Sequence, residues 1–140
     1  MLLLLLLMMM MTCCSSTEWV WKPENASQHL GLNVTFNCSA GAGQGSVAWF
    51  KINGNDKVLL FTDTDSWNVN LTRRMHTVAM HEGGYSLTLT SLERSDDASY
   101  KCTIANTGLS HAVTLTVLGM SLCLSLVLCV SACFYRASAH

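Results

Sequence analysis

The stretch Asp96-Asp97-Ala98-Ser99-Tyr100-Lys101-Cys102 is the most informative part of this 140-residue chain. Tyr100, Cys102 and Ile104 alternate with polar side chains, and a period of two residues is typical of a β-strand that buries one face. Further back, Trp49 follows Cys38 by eleven positions. The combination is specific, because two cysteines, a tryptophan, an aspartate and a tyrosine must all fall at suitable places within about seventy residues.

The same alternation recurs in other segments of the chain. Apolar positions on one face are Leu32, Val34, Phe36 and Cys38, then Val47 and Trp49, then Tyr85, Leu87 and Leu89, and finally Val113, Leu115 and Val117. Turn signals separate these segments, the clearest being Asn53-Gly54. With about seven to nine short strands and no helical period outside the termini, the sequence predicts an all-β sandwich.

From about residue 18 to residue 118 the chain resembles the immunoglobulin superfamily, through Cys38, Trp49 and the Asp-x-Ala-x-Tyr-x-Cys motif. The resemblance implies an immunoglobulin-like two-sheet Greek-key sandwich, in which Cys38 and Cys102 form a disulfide and Trp49 packs on it. The interval between Trp49 and Tyr85 is long enough for C′, C″ and D strands, so the domain resembles the variable type.

The resemblance also assigns roles at the turn before the last cysteine. It implies that the hydroxyl of Tyr100 bonds back to the turn backbone and that an arginine pairs with Asp96. Arg74 stands where the resemblance places that arginine, Arg73 competes for the role, and both could equally be plain surface charges.

The amino-terminal end carries an unbroken apolar run from Leu2 to Met11, followed by small and polar residues. This run is too short to cross a bilayer and is typical of a secretory signal peptide, which we assign to residues 1–16. The recognition domain is accordingly predicted over residues 17–116.

A second uncharged stretch, residues 117–135, is followed at once by Arg136. Its length predicts a C-terminal transmembrane helix, and the arginine places residues 136–140 in the cytoplasm. We therefore expect a single-pass type I protein of the plasma membrane with an extracellular domain. Two alternatives remain open: a buried strand that continues into a core helix, and a glycolipid anchor.

Four Asn-x-Ser/Thr sequons predict glycosylation at Asn25, Asn33, Asn37 and Asn70. Strand alternation places Asn33 and Asn37 on the outer side of the strand that ends at Cys38. The sheet containing this strand would carry sugar, which leaves the opposite sheet free.

The outer side of that free sheet is predicted to bear Phe50, Ile52, Lys101 and Thr103, with part of the apolar run from Val58 to Phe61. Apolar side chains that point outward beside charged ones mark interaction surfaces, so we predict partner binding there. The alternative is that the run from Val58 to Phe61 covers its own domain.

The remaining features exclude other classes of function. A net charge of -1 without a basic stripe gives no attraction to nucleic acid, and the five histidines are scattered without metal-ligand spacing. We expect no enzyme activity, no cofactor and no small-molecule substrate. The leading hypothesis is a cell-surface module that recognises an extracellular protein, as an immune-receptor ligand, decoy or adhesion glycoprotein of host or viral origin. The second is an accessory subunit docked in a receptor complex through its membrane helix.

Overall fold

The computed structural model describes residues 17–64 and 71–119, and within them the chain forms eight β-strands and one short 3-10 helix. The strands are β1 (Ala26–His29), β2 (Val34–Cys38), β3 (Val47–Asn53), β4 (Asp56–Thr62), β5 (Met75–Ala79), β6 (Tyr85–Leu89), β7 (Ala98–Ile104) and β8 (Leu109–Leu118). The 3-10 helix, Arg94–Asp96, lies between β6 and β7.

The strands form two sheets. The five-stranded sheet has the order β1-β8-β7-β3-β4, and the three-stranded sheet has the order β2-β6-β5. All neighbouring pairs are antiparallel except β1 and β8, which run parallel. This arrangement is the predicted all-β sandwich, with β2, β3, β4, β5, β6, β7 and β8 in the positions called B, C, C′, D, E, F and G in immunoglobulin domains.

The core lies between the two sheets and follows the alternation of the sequence. Cys38 and Cys102 form the predicted disulfide with 6.5 Å between their Cα atoms, which joins β2 to β7 and hence one sheet to the other. Trp49 beside it is fully buried, and its Nε1 donates a hydrogen bond to the carbonyl oxygen of Tyr85 at 3.2 Å. Phe36 completes the cluster by stacking on Tyr100. Burying these aromatic rings between the two sheets removes a large apolar area from water, which contributes strongly to the stability of this small domain.

The two sheets are also joined at the turn before β7. Arg74, just before β5, donates to both carboxylate oxygens of Asp96, at 2.6 and 3.2 Å, and the structure thereby selects Arg74 over Arg73 as the partner. The hydroxyl of Tyr100 donates to the carbonyl oxygen of Asp96 at 2.8 Å, which is the expected tyrosine corner. Glu93 contributes its backbone N–H to the same carboxylate at 2.8 Å.

These contacts set the ionisation of the buried groups. Burial alone would raise the pKa of Asp96, but hydrogen bonds from Arg74 and from the Glu93 backbone, with the nearby charges of Arg74 and Lys51, outweigh it and hold that pKa below its ordinary value. The hydrogen bond to Asp96 correspondingly raises the pKa of Arg74, and burial raises the pKa of Tyr100. The interior therefore holds a charged, fully bonded carboxylate.

Two predictions at the ends of strands were wrong. Leu32 was expected on the buried face of β2, but that strand begins at Val34 and Leu32 is 51% exposed in the preceding turn. Val117 was expected both on the inner face of the last strand and at the start of the membrane segment. β8 continues to Leu118 and the Val117 side chain is only 8% exposed, which confirms the first expectation and contradicts the second. In both places the backbone hydrogen bonds to the neighbouring strand, rather than the hydropathy of the sequence, determine where the strand begins or ends.

The predicted signal peptide, Asn70 and most of the predicted membrane segment lie outside the described residues. Within the two described ranges, no helix has the length and apolar character needed to cross a membrane.

Candidate interaction surface

The outer face of the five-stranded sheet carries an apolar cluster on β3 and β4. Residues directly opposite each other on paired strands share a face of the sheet. Phe50 lies opposite Leu59 of β4 and Lys101 of β7, while Ile52 lies opposite Lys57 and Ser99. Three apolar side chains, Phe50, Ile52 and Leu59, therefore adjoin one another on this face. We call them, together with Lys57 and Lys101, the β3–β4 cluster.

Two lysines flank the aromatic ring of this cluster. The Nζ of Lys57 lies 4.1 Å from the centroid of the Phe50 ring, a cation–π contact that holds the ammonium group over the apolar surface. Lys101 is on the opposite side of Phe50, across the β3–β7 pair. By strand alternation, these lysines are the charged side chains that project from this face within β3, β4 and β7. The cluster is thus an apolar centre with a positive margin.

The structure brings the four predicted binding residues onto one face. Phe50, Ile52, Lys101 and Thr103 are all half-buried among their sheet neighbours. Thr103 lies opposite Ala48 and Ser110, so its part of the face is lined with small side chains. The bulky part of the surface is consequently at the β3–β4 side.

Sequence reasoning missed Lys57 and did not say which part of the run from Val58 to Phe61 faces outward. A register shift between Trp49 and Phe50 places Leu60, 3% exposed, in the core. Phe61 packs on Tyr85 with 4.9 Å between ring centroids. These two residues do cover their own domain, and Leu59 is the member of the run that faces outward. A two-residue turn at Asn53-Gly54 would have paired Ile52 with Asn55. The chain instead turns at Gly54 and Asn55, which pairs Asn53 with Asp56 and Ile52 with Lys57.

The three described sequon asparagines lie away from this cluster. Asn33 is exposed, and its side-chain oxygen accepts a hydrogen bond from the Ser91 N–H at 3.0 Å. Asn37 is half-buried and lines a groove between β2 and the segment 21–26. Asn37 is on β2 of the three-stranded sheet, and Asn33 immediately precedes that strand.

Asn25 occupies a different place from the other two. Its side-chain oxygen accepts a hydrogen bond from the Thr114 N–H of β8 at 2.9 Å, so it lies beside the five-stranded sheet. The expectation that this sheet has no nearby sequon was therefore too broad. Asn25 is at the β1 edge, and three strand spacings of about 4.8 Å each separate β1 from β3. None of the three sequon asparagines that the structure describes lies on the β3–β4 side.

The polar groups of the described residues outside this cluster do not have the pattern of a metal site. Within residues 17–64 and 71–119, no group of three or more histidine, cysteine, aspartate or glutamate side chains could hold a metal ion. The buried carboxylate of Asp96 already accepts hydrogen bonds from Arg74 and from the turn backbone.

Comparisons with known proteins agree with this architecture. The family model described as the immunoglobulin V-set domain matches residues 17–118. Comparison with curated protein sequences gives no match. Among solved structures, the titin M3 domain is similar at 19% identity with a TM-score of 0.54, covering 71% of this chain and 94% of that one. The RIG-5 IG1 homodimer is similar at 24% identity with a TM-score of 0.56, covering 68% and 90%.

Because the family model covers well over half of the chain, the protein belongs to the immunoglobulin V-set family. Domains of this family are generally recognition modules rather than enzymes, and they typically act outside the cell or at its surface. The likeness to the two solved structures is at low identity and concerns the fold.

Proposed function

We propose that this protein is a cell-surface glycoprotein that recognises another protein through the β3–β4 cluster. The observation that carries the proposal is the apolar centre of Phe50, Ile52 and Leu59, set between Lys57 and Lys101 on an open sheet face. Interfaces commonly place aromatic anchors at a dry centre and charged side chains at the margin. The same outward pattern would be unnecessary on a sheet that only had to close the core.

The charge of the cluster favours a different protein over a second copy of this chain. A face-to-face pair of identical clusters would bring four lysines together, and by strand alternation neither face offers an acidic side chain from β3, β4 or β7 to neutralise them. Like charges across an interface are unfavourable, whereas opposite charges accelerate association. The fitting partner is a protein surface that presents a small apolar group among carboxylates.

Two further features support a place at the cell surface. The disulfide requires an oxidising compartment, and Asn25 and Asn33 are exposed members of sequons. The signal peptide at 1–16 and the apolar segment after β8 complete a single-pass type I arrangement in the proposal. Glycosidase treatment of the protein from animal cells should lower its mass by at least one glycan, and an unglycosylated product would contradict this arrangement.

The binding face is tested once a partner has been found by screening the ectodomain against surface receptors. Phe50→Ala should weaken binding about tenfold or more, because truncated anchors at interface centres often cost 2 kcal/mol. Val78→Ala is the matched control, since Val78 is 59% exposed on the outer face of the three-stranded sheet. Equal binding by Phe50→Ala and the unaltered domain, with loss in Val78→Ala, would move the site to the other sheet.

The charge of the partner is tested separately with the double variant Lys57→Glu and Lys101→Glu. We expect the association rate to fall by about tenfold or more at low salt and the difference to shrink as salt is raised, because these lysines act through long-range attraction. A faster association of the double variant would show that the partner surface is basic.

A further inference from the structure

At the end of β8, where the chain leaves the domain, hydrogen bonds hold the backbone against the sandwich. The N–H of Val117 donates to Asp97 Oδ2 at 2.9 Å, and the carbonyl oxygen of Leu118 accepts from the Leu30 N–H at 3.0 Å. The carbonyl oxygen of Gly119 lies 3.1 Å from Nδ1 of His29. Residues 117–119 are therefore held by the sandwich, and they are not available to a helix that crosses a bilayer.

This restraint shortens the apolar segment that can serve as an anchor. From Met120 to Tyr135, immediately before Arg136, sixteen residues remain. As a helix they would extend about 24 Å at 1.5 Å per residue. The hydrocarbon core of a typical bilayer is about 30 Å thick, so the anchor would be too short by roughly 6 Å. A short span is accommodated by local thinning or by drawing the flanking residues into the interface.

The end of the domain next to the exit point has side chains suited to such contact. Leu32 is 51% exposed and Leu118 is 39% exposed. Their positions are tied together by backbone hydrogen bonds. The Leu30 N–H donates to the carbonyl oxygen of Leu118, and the carbonyl oxygen of Leu32 accepts from the Leu92 N–H. We call this end, defined by Leu32, Leu118 and Arg94, the base of the domain.

Arg94 supplies a cationic group at the same place. Its guanidinium is exposed and lies close to Gly119, where the chain leaves the domain. A Cβ atom placed on Gly119 would be 3.5 Å from Nη2 of Arg94. Glu93 beside it is exposed and bonds to Arg74, which leaves both signs of charge at the base. Guanidinium groups bind phosphate well, and apolar side chains favour the boundary between headgroups and acyl chains.

We propose that the base of the domain is seated in the headgroup layer of the bilayer, with Leu32 and Leu118 at the acyl boundary and Arg94 on lipid phosphate. This inference rests on the proposed membrane anchor. Because the anchor is shorter than the hydrocarbon core, the base of the domain is drawn towards the bilayer. Burial of Leu32 and Leu118 at the acyl boundary makes the contact between the base and the lipid favourable. The strands then rise from the membrane, and the β3–β4 cluster faces sideways, where a partner on the same or an opposing membrane can reach it.

The test uses the full chain reconstituted in phosphatidylcholine nanodiscs that contain lipid brominated near the headgroup. Leu32→Trp adds a reporter at the base, and Val78→Trp adds a matched reporter on an exposed position away from it. The native tryptophans contribute equally to both variants. We expect the added fluorescence to be quenched about threefold more strongly at position 32, and the quenching to increase in bilayers with longer acyl chains, as hydrophobic mismatch grows.

The outcomes separate the docking from the anchor. If alkaline washing releases the unaltered chain from membranes, the anchor itself is wrong and the docking is wrong with it. If the chain is retained but the two reporters are quenched equally, the domain stands clear of the membrane and only the docking is overturned. Quenching at position 32 that does not change with acyl-chain length would contradict mismatch as its cause. Secretion of a folded Leu32→Trp ectodomain is the control for the substitution.

Discussion

The two sheets of this domain have similar inner faces and different outer faces. On the inner side, Phe36 of the three-stranded sheet stacks on Tyr100 of the five-stranded sheet, and the disulfide joins the same two strands. On the outer side, the three-stranded sheet bears mainly polar side chains, such as the Thr35–Thr88 hydroxyl pair bonded at 2.8 Å, together with the exposed Val78. The five-stranded sheet instead bears the β3–β4 cluster.

From this difference we infer that the inner side of each strand stabilises the fold, whereas the outer side of the five-stranded sheet is available for recognition. Because side chains of a strand alternate between faces, β3 contributes Trp49 to the core and Phe50 to the open surface. A change on the inner side should therefore lower the free energy of unfolding, while a change on the outer side should alter binding and leave stability nearly unchanged.

The largest effect is expected when the covalent link between the sheets is removed. Replacing both Cys38 and Cys102 by alanine should lower the free energy of unfolding by about 4 kcal/mol, because the bridge closes a long loop. The two residues are separated by 64 positions. Guanidinium denaturation of the ectodomain measures the loss, and an unchanged midpoint would mean that packing alone holds the sheets together.

A somewhat smaller effect is expected at the Arg74–Asp96 link. Asp96→Ala removes the buried carboxylate that pairs with Arg74, which keeps only the exposed Glu93 carboxylate and two backbone carbonyls, and should cost about 3 kcal/mol. Arg73→Ala is the matched control, because Arg73 is an exposed neighbour of Arg74 and should change stability by less than about 0.5 kcal/mol. Equal losses in the two variants would show that the ion pair does not join the sheets.

The ionisation of Asp96 predicts that the stability of the domain depends on pH. Its pKa is lower in the folded protein than the ordinary 3.8, so folding is favoured by its charge above that value. The contribution is lost as the pH falls from about 4 through the lower folded pKa, because protonation then favours the unfolded chain. Melting temperatures between pH 5 and pH 2 should fall less steeply for Asp96→Asn than for the unaltered domain. Parallel curves would assign acid sensitivity to other carboxylates.

The smallest effect is expected on the outer face of the three-stranded sheet. Thr35→Ala removes the Asn33 sequon and an exposed hydroxyl pair, so it should cost less than about 1 kcal/mol and change partner binding less than about twofold. Thr35→Ser retains the sequon and serves as the control. A loss of binding in Thr35→Ala alone would show that the Asn33 glycan takes part in recognition and would break the contrast between the two faces.

Much of the fold could be predicted because its signals are local. The strands containing Phe36, Trp49 and Leu87 follow from period-two alternation, which depends only on neighbouring residues. The candidate site was found in part: Phe50 and Ile52 face outward because Trp49 faces inward. Lys57 was missed because its place over the Phe50 ring depends on the pairing of β3 with β4.

The sequence by itself determined the class of fold, and its resemblance to the immunoglobulin superfamily implied the disulfide between Cys38 and Cys102 and the tyrosine corner at Tyr100, both of which the structure contains. These features depend on residue type at fixed spacing. Only the tertiary structure decided that Arg74 bonds Asp96, that Leu60 enters the core beside an outward Leu59, and that β8 continues to Leu118. Each of these depends on the register between strands that are distant in the sequence. An apolar run has the same composition whether it ends a strand or begins a membrane helix, and hydrogen bonding to a neighbouring strand distinguishes the two.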